Sequence, residues 1–97
     1  MYAKGHGVAQ DYAAALRWYR KSAEQGNDKA QVNLSGMYYK GLGVAQDYIQ
    51  AHKWYNLAAM QGDKKAAKNR DNVANKMTPA DLSKAQKLAR EWKPKKK

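Results

Sequence analysis

Two histidines, three serines and a glycine loop that occurs twice are the residues of this chain whose types could do chemistry. His6 and His52 could act as general bases or metal ligands, and Ser22, Ser35 and Ser83 could act as nucleophiles. The loop, "GHGVAQDY" at residues 5–12 and "GLGVAQDY" at 41–48, could cradle a phosphate. Each of these roles needs companions. A serine needs an activating base, and a catalytic or ligating histidine needs a carboxylate or a further ligand held beside it. No carboxylate pair or metal-ligand cluster recurs near either histidine. The chain has no cysteine, which removes disulfides, thiolate metal sites and thiol nucleophiles together. His6 occupies the loop position held by Leu42 in the second copy, and His52 aligns with Leu16, so both read as scaffold positions. The residues predict no enzyme, no cofactor and no metal.

The loop itself is explained by the elements around it. A shift of 36 residues superposes Tyr2 on Tyr38, Gly5 on Gly41, Gly7 on Gly43, Val8 on Val44 and Tyr12 on Tyr48. The match continues through Ala15/Ala51, Trp18/Trp54, Tyr19/Tyr55, Gly26/Gly62 and Asn33/Asn69. A fixed period of this length marks a helical solenoid, in which each unit buries its apolar face against the next. Within one unit, Asn27 and Asp28 can cap a helix over about residues 29–39, with Ala30, Leu34, Met37 and Tyr38 on one stripe. Gly41 falls where a left-handed residue closes a helix, and Val44 can plug the corner. Asp47 then caps a second helix running to about Gln61, with Ala51, Trp54, Tyr55 and Ala58 on its inner side. The glycines therefore follow a helix C-terminus, the negative end of its dipole, and the next helix opens on a carboxylate. A phosphate loop requires the opposite arrangement. The loop is a corner.

The expected fold is all-α: a short α-solenoid of antiparallel helix pairs with a C-terminal capping helix, forming a single domain over residues 1–97. Residues 1–26 form a partial first repeat and 27–62 a full one. Residues 63–93 form a degenerate repeat with the capping helix, and 94–97 a basic tail. The first helix is expected over residues 11–25, with Asp11 in the capping role that Asp47 has in the second copy. In the third unit Arg70 replaces the core Leu34, and no glycine corner follows. Instead Thr78, Pro79 and Asp81 open a last helix whose Leu82, Ala85, Leu88, Ala89 and Trp92 make an apolar stripe. Its expected task is to cover the apolar stripe of the third unit. At the other end only residues 1–4 match a preceding helix, so Tyr12, Trp18 and Tyr19 are expected to leave an uncovered edge through which two copies could associate.

The chain of 97 residues carries a net charge of +11, unevenly placed. Residues 1–62 hold seven Lys/Arg against four Asp/Glu, and residues 63–97 hold twelve against four. No apolar run approaches the roughly 20 residues needed to cross a bilayer, and the first residues lack the basic-then-apolar layout of a signal peptide. Spacings of four, three and four put Lys29, Asn33, Gly36 and Lys40 on one face of the 29–39 helix. Lys65, Asn69, Asn72 and Lys76 hold the corresponding positions in the third unit, with Lys68 beside them.

The stretch "AQVNLSGMYYKGLGVAQDYIQAHKWYNLAAMQGD" at residues 30–63 resembles the Sel-one-like repeat (SLR), a relative of the tetratricopeptide repeat. Nearly the whole chain shares the resemblance, although Ser35 stands where the family usually has glycine. The resemblance implies a protein–protein interaction adaptor of the kind common in bacteria, where members are often periplasmic or secreted. It also makes the Lys/Asn face the concave side. A groove formed by Asn33, Lys40, Lys65, Lys68, Asn69, Asn72 and Lys76 would then hold a protein or peptide, favouring an acidic segment. The alternative partner is nucleic acid, bound through Lys84, Lys87, Arg90 and the tail at 95–97. No nucleic-acid motif accompanies those residues, and aromatics do not interleave with them. Some cysteine-rich relatives are linked to β-lactam binding, an association that does not carry over to a chain without cysteine.

Overall fold

In the computed structural model, which describes residues 8–94, the chain forms five helices and, among the described residues, no strand. They are α1 (Val8–Glu24), α2 (Asp28–Lys40), α3 (Tyr48–Met60), α4 (Lys64–Ala74) and α5 (Pro79–Glu91). Each of the last four starts on a capping side chain. Asn27 accepts from the Ala30 amide at 2.9 Å and Asp47 from Gln50 at 3.1 Å. Asp63 accepts from Ala66 at 2.9 Å, and Thr78 from Asp81 at 3.1 Å. Such bonds satisfy amides that the first helical turn leaves open. His6 and the tail at 95–97 lie outside the described residues.

The repeat is reproduced bond for bond at the helix ends. Gly26 and Gly62 both adopt φ +102°, and the amides of Asn27 and Asp63 both donate at 3.2 Å to carbonyls one turn back, Ser22 and Ala58. At the corner, Gly41 (φ +73°) donates to the Met37 carbonyl at 2.8 Å, and Gly43 takes the same left-handed conformation. A Cβ on Gly43 would come within 2.8 Å of the Tyr12 backbone, so the corner is seated directly on α1.

One boundary differs from expectation. α1 begins at Val8, three residues before Asp11, which lies inside the first turn instead of capping it. In the second copy the approach to the helix is held extended. The Asp47 amide donates to the Tyr38 carbonyl at 2.9 Å, and the Gln46 side chain donates to Tyr39 at 2.8 Å. The matching acceptors for the first copy would be residues 2 and 3, which lie outside the described residues.

The core is centred where α2 meets α3, with Leu34, Ala51, Ala58 and Ala66 fully enclosed and Trp54, Tyr55 and Leu57 nearly so. α1 packs on α2, and α4 on α3. Ser35, in the family's glycine position, is fully buried and turns its hydroxyl back to the Gln31 carbonyl at 2.7 Å. The last helix also departs from expectation. α5 packs on α3 of the second unit, not on the third unit's α4. α3 offers Trp54 to Trp92 and Leu57 beside Ala89, whereas α4 is polar along most of its length and buries only Ala66 and Val73. Ala85 and Ala89 of α5 are buried, and Leu82, Leu88 and Trp92 half-buried.

Candidate interaction surface

The residues singled out in the sequence divide into two sets. On α2, Asn33 and Lys40 are exposed; on α4, Lys65, Lys68 and Asn72 are exposed and Asn69 is half-buried, and Lys76 is exposed in the turn that follows α4. Asn33 and Lys40 share a depression with the residues expected at the open edge. A cavity of ≈ 490 Å³ between α1 and α2 is lined by Trp18, Tyr19 and Ser22 on one wall and Lys29 and Asn33 on the other. A neighbouring cavity of ≈ 390 Å³ shares Tyr19 and Asn33 and extends to Tyr12, Lys40 and Tyr55. The floor is aromatic, the rim carries two lysines, and no carboxylate lines either cavity. Arg20 of α1 donates to the Tyr38 hydroxyl of α2 at 2.8 Å and holds the walls together.

The two copies of the aromatic pair have separate fates. Trp54 is 3% exposed and Tyr55 7%, whereas Trp18 is 71% exposed and Tyr19 half-buried. Trp54 is covered by Trp92 from α5, and the Lys53 ammonium lies 4.5 Å from its ring centroid. Burial holds the Lys53 ammonium below its ordinary pKa, an effect opposed by Glu24 across on α1. Burial likewise raises the Tyr55 phenol, with Tyr39 adding to it. Tyr39 in turn meets Tyr48 with ring centroids 5.5 Å apart and planes inclined by 32°, a ring pair the first copy cannot form because Ala3 stands at the position of Tyr39.

His52 is 3% exposed between α3 and α4, deeper than a partly buried position, and its Nδ1 has no hydrogen-bond partner. Desolvation, and then the charge of Arg70, lower its pKa, while Asp71 opposes them. Arg70, standing where the second unit has Leu34, donates to Asn56 at 3.1 Å and pairs with Asp71 at 3.2 Å. Among the described residues no group of three or more His, Cys, Asp or Glu could hold a metal ion. None of the helices is long and apolar enough to cross a membrane.

Sequence reasoning missed the polar joint between the units. Gln31 is fully buried, and its amide donates to the Ala23 carbonyl at 3.1 Å. Its oxygen accepts at 3.0 Å from Gln61, whose amide also donates to the Gly26 carbonyl at 2.9 Å. The signal was present, since Gln61 repeats Gln25, but a glutamine on an otherwise apolar helix face reads as surface.

Comparison with known proteins agrees with this architecture. The family model described as Sel1 repeat matches residues 1–27 and 28–63, dividing the chain at the start of α2. Among solved structures the chain is similar to the crystal structure of a protective antigen present in uropathogenic Escherichia coli strains and displaying an SLR fold. The two are 35% identical with a TM-score of 0.81, over 91% of this chain and 20% of that one. The chain thus spans about a fifth of the length of that structure. No curated protein matches.

Proposed function

The chain belongs to the Sel1 repeat family, whose repeats are generally protein–protein interaction modules on non-enzymatic scaffolds, and from that premise we propose that it is an adaptor holding an acidic protein segment. The contacts are Asn33 and Lys40 on α2, Lys65, Lys68, Asn69 and Asn72 on α4, and Lys76 in the turn after it. The single observation that supports this most is electrostatic. Among the described residues none of Lys40, Lys65, Lys68 and Lys76 is in an ion pair, so each keeps its charge for an incoming carboxylate. Asparagines between them can hydrogen-bond the backbone of a bound segment.

The test is a titration of the protein with a labelled acidic peptide and with its amide counterpart, Asp and Glu replaced by Asn and Gln. The acidic peptide should bind, and Lys65→Glu with Lys68→Glu should weaken it about tenfold or more without changing the melting temperature. Binding that survives this reversal places the site elsewhere. The rival ligand, nucleic acid, would meet the exposed Lys84, Lys87 and Arg90 of α5. A gel shift persisting at physiological salt would favour that reading instead.

A further inference from the structure

The two equivalent helices α1 and α3 show how an outer face of this fold is covered when it is covered. On α3 the visitor is α5. Its Ala85 and Ala89, four residues apart and fully buried, let the helices approach closely. Trp92, three residues further on, meets Trp54 edge to face at 5.7 Å. Leu57 of α3 lines the same junction as Ala89 and Trp92. α1 carries Trp18 at the position of Trp54, yet with 71% of its surface exposed.

The surroundings of Trp18 state what its visitor must be. At the position of Leu57, α1 has Lys21, and at that of Lys53 it has Arg17. Both are exposed and, with Ala14 and Trp18, line a cavity of ≈ 210 Å³ that no carboxylate enters. Glu24, the carboxylate one turn beyond Lys21, acts on Lys53 of α3. The face is thus an aromatic platform between two cations, where the covered copy has an aromatic platform beside a leucine. We propose that the α1 face centred on Trp18 docks an acidic amphipathic helix from a partner protein, seated as α5 is seated on α3. That helix carries small residues at i and i+4, an aromatic at i+7, and carboxylates facing Arg17 and Lys21. A second copy of this chain fits poorly: its α5 exposes Lys84, Lys87 and Arg90, and the chain as a whole carries +11. Apart from Trp18, which also borders the Asn33 depression, this surface shares no lining residue with the α2 and α4 contacts, and Arg17 and Lys21 belong to it alone.

The probe is a labelled synthetic peptide of the α5 sequence, residues 79–92, carrying Lys84→Glu, Lys87→Glu and Arg90→Glu. The unaltered α5 peptide is the control, and fluorescence anisotropy with the 97-residue protein is the readout. The acidic peptide should bind about tenfold more tightly than the control, and Trp18→Ala should weaken it by about the same factor. Arg17→Glu with Lys21→Glu should reverse the preference between the peptides, whereas Lys65→Glu with Lys68→Glu should leave it unchanged. All four positions are exposed, and unchanged helical circular dichroism checks that each variant folds. Equal affinity for both peptides, or binding that persists in Trp18→Ala, would overturn the proposal. So would sedimentation showing a dimer dispersed by Trp18→Ala, which would make a second copy the occupant.

Discussion

Trp92 meets Trp54 edge to face, with ring centroids 5.7 Å apart and planes inclined by 75°, and this contact closes the second unit of the solenoid. The pair joins the last helix to α3 across the intervening α4. Replacing Trp92 by alanine removes the ring contact and uncovers Trp54, at a cost of about 2–3 kcal/mol for a half-buried aromatic. The urea midpoint should fall accordingly. Removing residues 78–97 altogether should expose Leu57 as well and produce aggregation; a soluble, fully helical truncation would count against the capping role.

The corner glycines should behave unequally from the helical one. Gly43→Val forces a β-branched residue to φ +73° and drives its Cβ into the Tyr12 backbone, so a loss of about 2–4 kcal/mol is expected. At Gly36, within α2, the nearest atom to an added Cβ is the Tyr55 hydroxyl at 3.7 Å, an ordinary contact. Gly36→Ala should therefore stabilise by about 0.5–1 kcal/mol through helix propensity. Thermal melts of the two variants test both signs.

Stability should fall on acidification through His52. Burial keeps the folded imidazole neutral, below the ordinary value of 6.5. The unfolded chain therefore takes up the proton first, so this contribution is complete above about pH 6.5 and is lost as pH drops through the folded pKa. Arg70 on α4 reinforces the effect and Asp71 opposes it. His52→Leu, which copies the buried Leu16 of the first repeat, should flatten the pH dependence of the urea midpoint between pH 7 and 5.

The buried joint gives a fourth expectation. Gln31→Leu removes one of two hydrogen bonds at the Ala23 carbonyl, which keeps the Gly26 amide, and one of two at the Gln61 amide, which keeps the Gly26 carbonyl, and should cost about 1–2 kcal/mol. Gln61→Ala also removes two hydrogen bonds and leaves the buried Gln31 oxygen without its donor, so it should cost at least as much. Denaturant unfolding of the two variants ranks them.

The repeat, the corners and the caps at Asn27, Asp47 and Thr78 are legible in the sequence because they depend on residues within one turn of each other. What the sequence does not reveal depends on distant partners. Trp18 and Trp54 share residue type and repeat register, and the cover that Trp92 gives to Trp54 comes from a helix nearly forty residues further on. The same holds for the α5 seat, which was expected on the third unit and lies on the second. The start of α1 is not legible from the repeat, since Asp47 is held out of its helix by a hydrogen bond to the Tyr38 carbonyl, a partner distant in sequence. The Lys and Asn positions could be assigned to helix faces from spacing alone, but not the sharing of one depression by Asn33, Lys40, Tyr12 and Tyr19.

The Gln31–Gln61 joint has a mechanical consequence. It ties the end of α1, through Ala23 and Gly26, to the interior of α2 and the end of α3, so three helices are fastened at one end of the stack, while elsewhere they meet through side-chain packing, the Arg20–Tyr38 bond and the Gly43 corner. A rod pinned at one edge resists sliding between its layers but can still splay at the opposite edge. Among the described residues the Lys29 end of the α1–α2 depression is therefore the more heavily tied one, with three hydrogen bonds across the units against the single Arg20–Tyr38 bond between its walls.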